Sequence, residues 1–230
     1  MNIALIVFAG KGTRIHSQIP KQFIRIDKKE IVAYTIETFQ HHPLIDEIIL
    51  VTSADYLPYT QNLTYLNHFD KVINIVEGGE TRQESVRKGL LSIKANDKDN
   101  VLIHDGDRPL VSHEIITRCL RELAEHDACT VAIKSDEALT EVKNLGRKYH
   151  LDGVDYDIQT PQCFKFGLIR DAHIRLCEQK FVDDASLIIE MGKDVSLVEG
   201  DKYNFKVTTD QDLEFLRKEL VIRNQIKDEE

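Results

Sequence analysis

The chain has 230 residues, 42% of them hydrophobic, so it can bury the core of one α/β domain, and we expect residues 1–230 to form a single domain. The formal net charge of −9 and the sequence pI near 5.5 argue against a nucleic-acid partner, because binding nucleic acid needs a broad basic face. The first residues lack the basic segment of a signal peptide, and no apolar run approaches the roughly 20 residues that span a bilayer. We therefore expect a cytoplasmic protein with no membrane partner.

Strands and helices alternate in the first half of the chain. Short β-branched runs predict strands at residues 3–8, 47–52, 72–77 and 100–104, and helical spacing of apolar residues predicts helices at 31–39, 80–93 and 112–125. This order predicts an α/β fold with a mostly parallel sheet flanked by helices. Ligands of such sheets bind at the carboxyl ends of the strands, which places the site at loops 9–22, 78–86 and 105–110.

The second half contains a long polar stretch at residues 134–157. It is too long for an ordinary connection, so we interpret it as a protruding β-arm that packs on a second subunit, with a solvated loop as the alternative. Beyond it we predict helices at 166–177 and 184–191, a strand at 195–198 and a last helix from residue 209. The four cysteines are widely spaced, so we expect buried, reduced thiols without a role.

A glycine-rich segment follows the first predicted strand. Its residues are Ala9, Gly10, Lys11, Gly12, Thr13 and Arg14, and Lys21 follows soon after. Glycines let backbone N–H groups approach an anion, and the two cations beyond them can neutralise phosphate charge. The spacing fits neither a Walker A loop nor a dinucleotide-binding turn. An ordinary strand-to-helix turn is the alternative.

A second glycine turn follows the strand at 72–77 and opens a helix. Its polar groups can read the edge of a base, and the candidates are Gly79, Glu80, Arg82 and Ser85. In the third motif, which also contains Gly106, the charged groups Asp105, Asp107 and Arg108 crowd the end of an apolar strand, where such charge is costly unless it holds an ion or a ligand. Asp105 is the candidate ligand for Mg²⁺, which prefers carboxylate and phosphate oxygens. A surface salt bridge is the alternative.

Two further segments contain Thr160, in Thr-Pro-Gln, and Lys206, in Asn-x-Lys-Val-Thr. We place Lys206 on a short strand just before a helix, from which its ammonium can reach over the cleft. Each segment alone is equally typical of a turn or a solvated face.

Together, these segments resemble, in order and spacing, the family that contains 2-C-methyl-D-erythritol 4-phosphate cytidylyltransferase and ribitol-5-phosphate cytidylyltransferase. The resemblance runs from about residue 3 to residue 213. It implies a Rossmann-like nucleotidyltransferase fold, CTP as donor, Mg²⁺ or another divalent cation, and a homodimer in which the β-arm of one subunit completes the partner's site.

The resemblance also implies the reaction and the residue roles. CMP passes from CTP to a small polyol phosphate, and pyrophosphate leaves. Arg14, Lys21 and Lys206 are the catalytic cations. Nucleotide contacts are implied for Ala9, Gly10, Lys11, Gly12, Thr13, Gly79, Glu80, Arg82, Ser85, Asp105 and Gly106. Acceptor contacts are implied for Asp105, Arg108, Asp136 and Thr160. The nucleophile is already an anion, so alignment and charge stabilisation suffice for catalysis.

The chain departs from the family pattern in the arm, where it has Glu137 in place of a threonine and Asp152 in place of an arginine. Both changes add negative charge where the acceptor phosphate is expected, and like charges repel. Either Lys134, Arg147 or Lys148 compensates through a shift in register, or the acceptor differs. Two acceptors therefore stay open, the isoprenoid precursor 2-C-methyl-D-erythritol 4-phosphate and ribitol 5-phosphate, a teichoic acid or capsule precursor.

Phe8 stands where the family commonly has a small residue, at the floor of the base pocket.

Two other functions remain as alternatives. One is a sugar-1-phosphate nucleotidyltransferase that uses another nucleoside triphosphate. The other is a catalytically silent nucleotide-binding paralogue.

Overall fold

A mostly parallel β-sheet forms the middle layer of the protein. The computed structural model describes residues 1–10, 15, 17, 19–135, 148–151 and 154–229. Its strands are β1 (Asn2–Val7), β2 (Arg25–Ile26), β3 (Lys29–Glu30), β4 (Glu47–Thr52), β5 (Val72–Glu77), β6 (Asn100–Asp105), β7 (Ala128–Lys134), β8 (Lys148–Leu151), β9 (Val154–Lys165) and β10 (Ser196–Glu199). Its α-helices are α1 (Ile31–His41), α2 (Leu57–Leu66), α3 (Arg82–Ser92), α4 (His113–Glu125), α5 (Phe166–Arg175), α6 (Asp184–Glu190) and α7 (Asp210–Glu229). Short 3-10 helices occur at Lys21–Phe23 and Ala54–Tyr56.

The strand order of the main sheet is β10-β7-β9-β6-β1-β4-β5, and β8 pairs with β9 outside this path. β1 runs parallel to both β4 and β6, β4 runs parallel to β5, and β10 runs parallel to β7. β9 is antiparallel to β6, β7 and β8. The parallel strands β1, β4, β5 and β6 therefore end at one edge, as predicted for a ligand site.

Alternation of side chains along β1 divides the core into two layers. Ile3, Leu5 and Val7 pack with residues of α3, α5 and α6 on one face of the sheet. Ala4 and Ile6 pack with residues of α1, α2 and α4 on the other face. A third cluster joins α7 to the start of α1 and to Val207. Helices thus flank both faces, and the predicted fold class is confirmed.

The predicted strands and helices of the first half are present, with ends shifted by a few residues. Ser112 caps α4, because its side chain accepts a hydrogen bond from the backbone N–H of Ile115 at 3.3 Å. The prediction missed α2, of which only Thr60 and Leu63 are buried, so its apolar periodicity is weak.

Two predictions in the second half need correction. The chain has no strand at Lys206, which lies in irregular backbone ahead of α7. The Thr-Pro-Gln segment lies inside the buried strand β9. Its proline and polar residues are untypical of a buried strand, so the sequence did not predict one there. Most of the predicted arm, residues 136–147 and 152–153, lies outside the described residues, and its described part contains β8, which pairs antiparallel with the start of β9. Among the described helices, none combines the length and the hydropathy needed to cross a membrane.

Candidate active site

A cleft of about 1020 Å³ opens at the carboxyl ends of β1, β5 and β6. Its lining comes from three of the predicted loops and from Lys206. The 3-10 helix at Ala54–Tyr56 adds a wall that the sequence did not suggest. The volume is ample for a nucleotide, since ligand pockets typically measure roughly 300–1,000 Å³.

Residues 77–85, the glycine turn, form one wall, and hydrogen bonds centred on Ser85 hold them in place. The N–H of Gly79 donates to Ser85 Oγ at 3.0 Å, and Ser85 Oγ donates to the carbonyl of Thr81 at 2.8 Å. Thr81 caps α3 by accepting from the N–H of Glu84 at 3.1 Å. A Cβ on Gly78 would collide with the Cβ of Ala9 and lie 2.8 Å from Ser85 Oγ. Only glycine allows the turn to approach the end of β1 so closely.

The opposite wall carries two lysines paired with two aspartates, here called the cation corner (Lys21, Lys206, Asp105 and Asp107). Lys21 Nζ lies 2.6 Å from Asp107 Oδ2 and donates to the carbonyl of Val207 at 2.6 Å. Lys206 Nζ lies 2.9 Å from Asp105 Oδ2 and 3.5 Å from Asp107 Oδ1. Two ammonium groups from distant parts of the chain therefore share one pair of carboxylates, which holds both cations beside the cleft while balancing their charge.

Arg82 joins the glycine turn to the cation corner. Its Nε donates to Asp105 Oδ1 at 2.8 Å, and its Nη1 donates to Asp184 Oδ2 at 2.7 Å. Its Nη2 is buried and has no hydrogen-bond partner within the part of the chain that the structure describes. Asp184 also pairs with His173 at 3.1 Å. Burial opposes ionisation of Asp184, but Arg82 and His173 outweigh it and lower its pKa to about 2.

A buried hydrogen-bond network lies behind the cleft. Thr160 Oγ1 contacts His104 Nδ1 at 3.0 Å and accepts from the N–H of Asp105 at 3.1 Å. Arg108 Nη1 donates to the carbonyl of Asn204 at 2.7 Å. Burial lowers the pKa of His104 to about 4, so the ring is neutral near pH 7. This network fixes the backbone that carries Asp105.

One family model matches residues 2–223 of the chain. That family is IspD, 2-C-methyl-D-erythritol 4-phosphate cytidylyltransferase. The chain belongs to this family. It is therefore a member of an enzyme family of CTP-dependent nucleotidyltransferases, as the sequence motifs predicted.

Similar proteins cover nearly the whole chain. A 2-C-methyl-D-erythritol 4-phosphate cytidylyltransferase of Clostridium novyi (strain NT) is 40% identical over 217 residues, covering 92% of this chain and 93% of that protein. One of Clostridium acetobutylicum is 40% identical over 238 residues, covering 99% of this chain and 100% of that protein.

Solved structures of this family share the fold. The crystal structure of 4-diphosphocytidyl-2C-methyl-D-erythritol synthase from Anaerococcus prevotii DSM 20548 matches with a TM-score of 0.78 and 29% identity, covering 95% of each chain. The 2-C-methyl-D-erythritol 4-phosphate cytidylyltransferase (IspD) of Francisella tularensis matches with a TM-score of 0.76 and 30% identity, covering 94% of this chain and 97% of that one.

The structure brings together many of the residues predicted for the cytidylyltransferase site. The cleft is lined by Ala9, Gly10, Lys21, Gly79, Glu80, Arg82, Ser85, Asp105 and Lys206. Gly106, Arg108 and Thr160 lie behind that lining, and Arg108 and Thr160 are buried. The predicted residues Lys11, Gly12, Thr13, Arg14 and Asp136 lie outside the described residues, as do Glu137 and Asp152. The predicted roles of all these residues remain to be tested.

Three residues of the site were missed by sequence reasoning. Asp107 stands within the third motif, so its charge was a visible signal that received no role. Gln22 follows Lys21 directly, and its Nε2 ties the first loop down by donating to the carbonyls of Phe8 at 2.7 Å and Gly10 at 2.9 Å. Asp184 reaches Arg82 from the start of α6, and nothing in the local sequence indicates that pairing.

Proposed function

We propose that the chain transfers CMP from CTP to 2-C-methyl-D-erythritol 4-phosphate and releases pyrophosphate. The observation that carries this proposal is the cation corner, where Lys21 and Lys206 converge beside the glycine turn at the ends of parallel strands. Family membership supplies the substrate class. The two together connect a nucleotide-sized cleft with the charge that phosphoryl transfer requires.

In this proposal the glycine turn binds the nucleoside. Gly79, Glu80 and Ser85 offer polar groups to cytosine and ribose, and Gly78 leaves space for them. Arg82, which lines the cleft, adds Nη2 as a buried donor that has no protein partner among the described residues. Ala9 and Gly10, with Lys11, Gly12, Thr13 and Arg14, are proposed as contacts of the triphosphate.

The chemical step is an in-line displacement at the α-phosphorus. A phosphate oxygen of the acceptor forms the new P–O bond, the bond to the bridging oxygen breaks, and pyrophosphate carries away the electron pair. No proton has to be removed from the nucleophile. Lys21 and Lys206, together with Arg14, are proposed to stabilise the negative charge that accumulates on the phosphate oxygens.

The carboxylates of the corner suit a divalent cation. Asp107 Oδ1 is buried and accepts no hydrogen bond from the described residues, with Lys206 Nζ at the longer distance of 3.5 Å. Asp105 lies beside it with hard oxygen atoms of the kind that Mg²⁺ prefers. We propose Asp105, supported by Asp107, as the residues that hold Mg²⁺. When bound, Mg²⁺ supplies further neutralisation of phosphate oxygens. The lysines position the triphosphate and the carboxylates hold the lysines.

The acceptor is proposed to lie on the side of the cleft nearest the β-arm, where Asp105, Arg108, Thr160 and Asp136 were predicted to contact it. Arg108 and Thr160 are buried, so their proposed influence is to fix the backbone around Asp105.

Homodimerisation through the arm is part of the same proposal. A single sedimenting species near the 26.4 kDa of one chain would contradict it. We also propose a cytoplasmic location, where CTP is available, and cell fractionation would test it.

A pyrophosphate-release assay tests the reaction. The purified protein is incubated with Mg²⁺, one nucleoside triphosphate (CTP, UTP, GTP or dTTP) and one acceptor, either 2-C-methyl-D-erythritol 4-phosphate or ribitol 5-phosphate, and products are identified by mass. We expect release with CTP and 2-C-methyl-D-erythritol 4-phosphate, giving the cytidine diphosphate ester. Faster turnover of ribitol 5-phosphate or of another nucleotide would overturn the substrate assignment, and absence of release with every pair would overturn the reaction.

A further inference from the structure

Three cysteines that are far apart in the sequence meet inside the protein. Cys119 belongs to α4, Cys129 to β7 and Cys163 to β9. Cys129 and Cys163 are direct partners across the antiparallel ladder, and α4 brings Cys119 over them. The three Sγ atoms all lie within 4.8 Å of one another. The prediction that all four cysteines are buried holds for these three and is wrong for Cys177, which is exposed. Their spacing in the sequence did not indicate that the three form a group.

This thiol cluster (Cys119, Cys129 and Cys163) is separate from the cleft. All three side chains are completely buried, and none of them lines the cleft. The core cluster that contains them is apolar and includes Leu123, Val131 and Val198. The proposed reaction gives these thiols no role.

The spacing of the sulfur atoms suits a single ion at their centre. Bonds of about 2.3 Å, as for zinc and thiolate, place three sulfur atoms roughly 4.0 Å apart around a trigonal centre. The observed separations reach this value with shifts of less than about 1 Å, which side-chain rotation alone can provide. No other His, Cys, Asp or Glu of the described structure contributes a ligand atom to the group. An ion satisfied by three sulfur ligands therefore fits better than zinc, whose structural sites have four.

The apolar surroundings favour an ion that forms an uncharged complex with the three thiolates. The charged side chains that act on Cys119, Arg118 and Glu122, have opposite signs, so a net charge on the complex in this apolar core would be costly. Three thiolates leave a net negative charge on a monovalent or divalent ion, but they form a neutral complex with a trivalent one. Thiophilic ions of that class include As(III).

The three thiols are already close enough to share one ion, since their Sγ atoms all lie within 4.8 Å of one another. Cys129 Sγ also approaches the carbonyl oxygen of Cys119 at 3.7 Å. The thiols thus already point toward one another.

We propose that Cys119, Cys129 and Cys163 form a binding site for a trivalent thiophilic ion, for which As(III) is the probe. Arsenous acid forms three As–S bonds and releases three water molecules, each taking one thiol proton. No electrons are transferred. The complex links α4 to β7 and β9, so binding stabilises the folded protein and leaves the cleft open.

The test uses the full-length reduced protein and sodium arsenite. Native mass spectrometry is expected to detect one arsenic atom per chain with the loss of three protons. Cys177 is exposed and outside the cluster, which makes C177A the matched control that retains this adduct. The variants C119A, C129A and C163A are expected to bind arsenite at least about tenfold more weakly and to retain a hydroxyl on any remaining adduct.

Thermal unfolding provides an independent measurement that each variant folds. Arsenite is expected to raise the unfolding temperature of the wild type and of C177A, but not that of the three cluster variants. Because the site is closed, the incubation is repeated during refolding from denaturant. An adduct formed only on refolding still supports the site. No three-bond adduct under either condition, or equal adducts in the wild type and the cluster variants, would overturn the proposal.

Discussion

The glycine turn and the cation corner line the same cleft, but different forces hold them in place. The turn is shaped by the absence of a Cβ at Gly78 and by neutral hydrogen bonds around Ser85. The corner is held by ion pairs from Lys21 and Lys206 to Asp105 and Asp107. In the proposed reaction, the glycine turn selects a ligand by its shape, and the cation corner supplies the positive charges that contact phosphate. Substitutions in the two walls should therefore affect different steps of the reaction.

Removing one cation should have the largest effect. We expect Lys206→Ala to lower kcat about a hundredfold, which corresponds to about 3 kcal/mol of lost transition-state stabilisation, with a smaller change in KM for CTP. Lys193→Ala removes an exposed lysine outside the cleft lining and serves as the matched control. Steady-state kinetics checks both variants. A Lys206→Ala enzyme that folds and turns over like the control would remove this lysine from the mechanism.

The buried ion pair between Asp184 and Arg82, behind the cation corner, should make the stability of the protein depend on pH. The pKa of Asp184 is about 2 in the folded protein, below its ordinary 3.8, so its stabilising effect is present above pH 4 and is lost as the pH falls toward 2. The loss amounts to about 2 kcal/mol. In urea unfolding at several pH values, the stability gap between the wild type and Asp184→Asn should narrow over this window.

The exposed carboxylate of Asp97, which pairs with Arg170, offers a matched control for that experiment. We expect Asp97→Asn to change stability little at any of these pH values, because exposed ion pairs contribute about 0–1 kcal/mol. A gap for Asp184→Asn that stays constant down to pH 2 would contradict the assigned pKa.

A methyl group in the glycine turn should weaken nucleotide binding. Gly78→Ala places its Cβ against Ala9 and Ser85, so the turn must move, and we expect KM for CTP to rise about tenfold with a smaller change in kcat. Gly10→Ala is the steric control for folding, because its Cβ meets no atom within 4 Å. Calorimetry should therefore find a lower unfolding temperature for Gly78→Ala than for Gly10→Ala. The reverse order would show that the close approach at Gly78 is unimportant.

The smallest effect is expected for the carboxylate that positions Lys21. Asp107→Asn keeps the shape but removes the ion pair at 2.6 Å, so Lys21 loses its fixed direction. We expect kcat to fall about fivefold, while KM for CTP does not rise because a negative charge near the triphosphate is gone. Asp107→Glu should recover part of the loss. A rise in KM without a fall in kcat would contradict the positioning role.

The comparison also explains how far the sequence could predict this molecule. Buried parallel strands such as β1 are nearly continuous apolar runs, so their positions follow from local pattern. β9 was not predicted because a proline and buried polar residues interrupt its apolar pattern. Gln162, for example, is buried, and its Nε2 donates a hydrogen bond to Thr130 Oγ1 at 2.9 Å. Elements whose environment is polar inside the fold carry no simple periodic signal.

The candidate site likewise has features that the sequence could predict and features that it could not. The glycine turn was predictable because its motif is contiguous and follows a strand end, whereas Lys21 and Lys206 were identified by the resemblance of all the segments together. The links among these residues were not predictable, since Asp184 meets Arg82 and the thiol cluster forms only after the chain has folded. Pairing over such sequence distances depends on tertiary structure, which a single sequence does not display.

The division of labour between the two walls is tested most directly by comparing the binding of CTP and cytidine. Equilibrium dissociation constants are measured for both ligands with the wild type and with the Lys21→Ala/Lys206→Ala double variant. We predict that the preference for CTP over cytidine falls at least about tenfold in the double variant while cytidine affinity stays the same. An equal loss of affinity for both ligands, or an unchanged preference, would contradict the account.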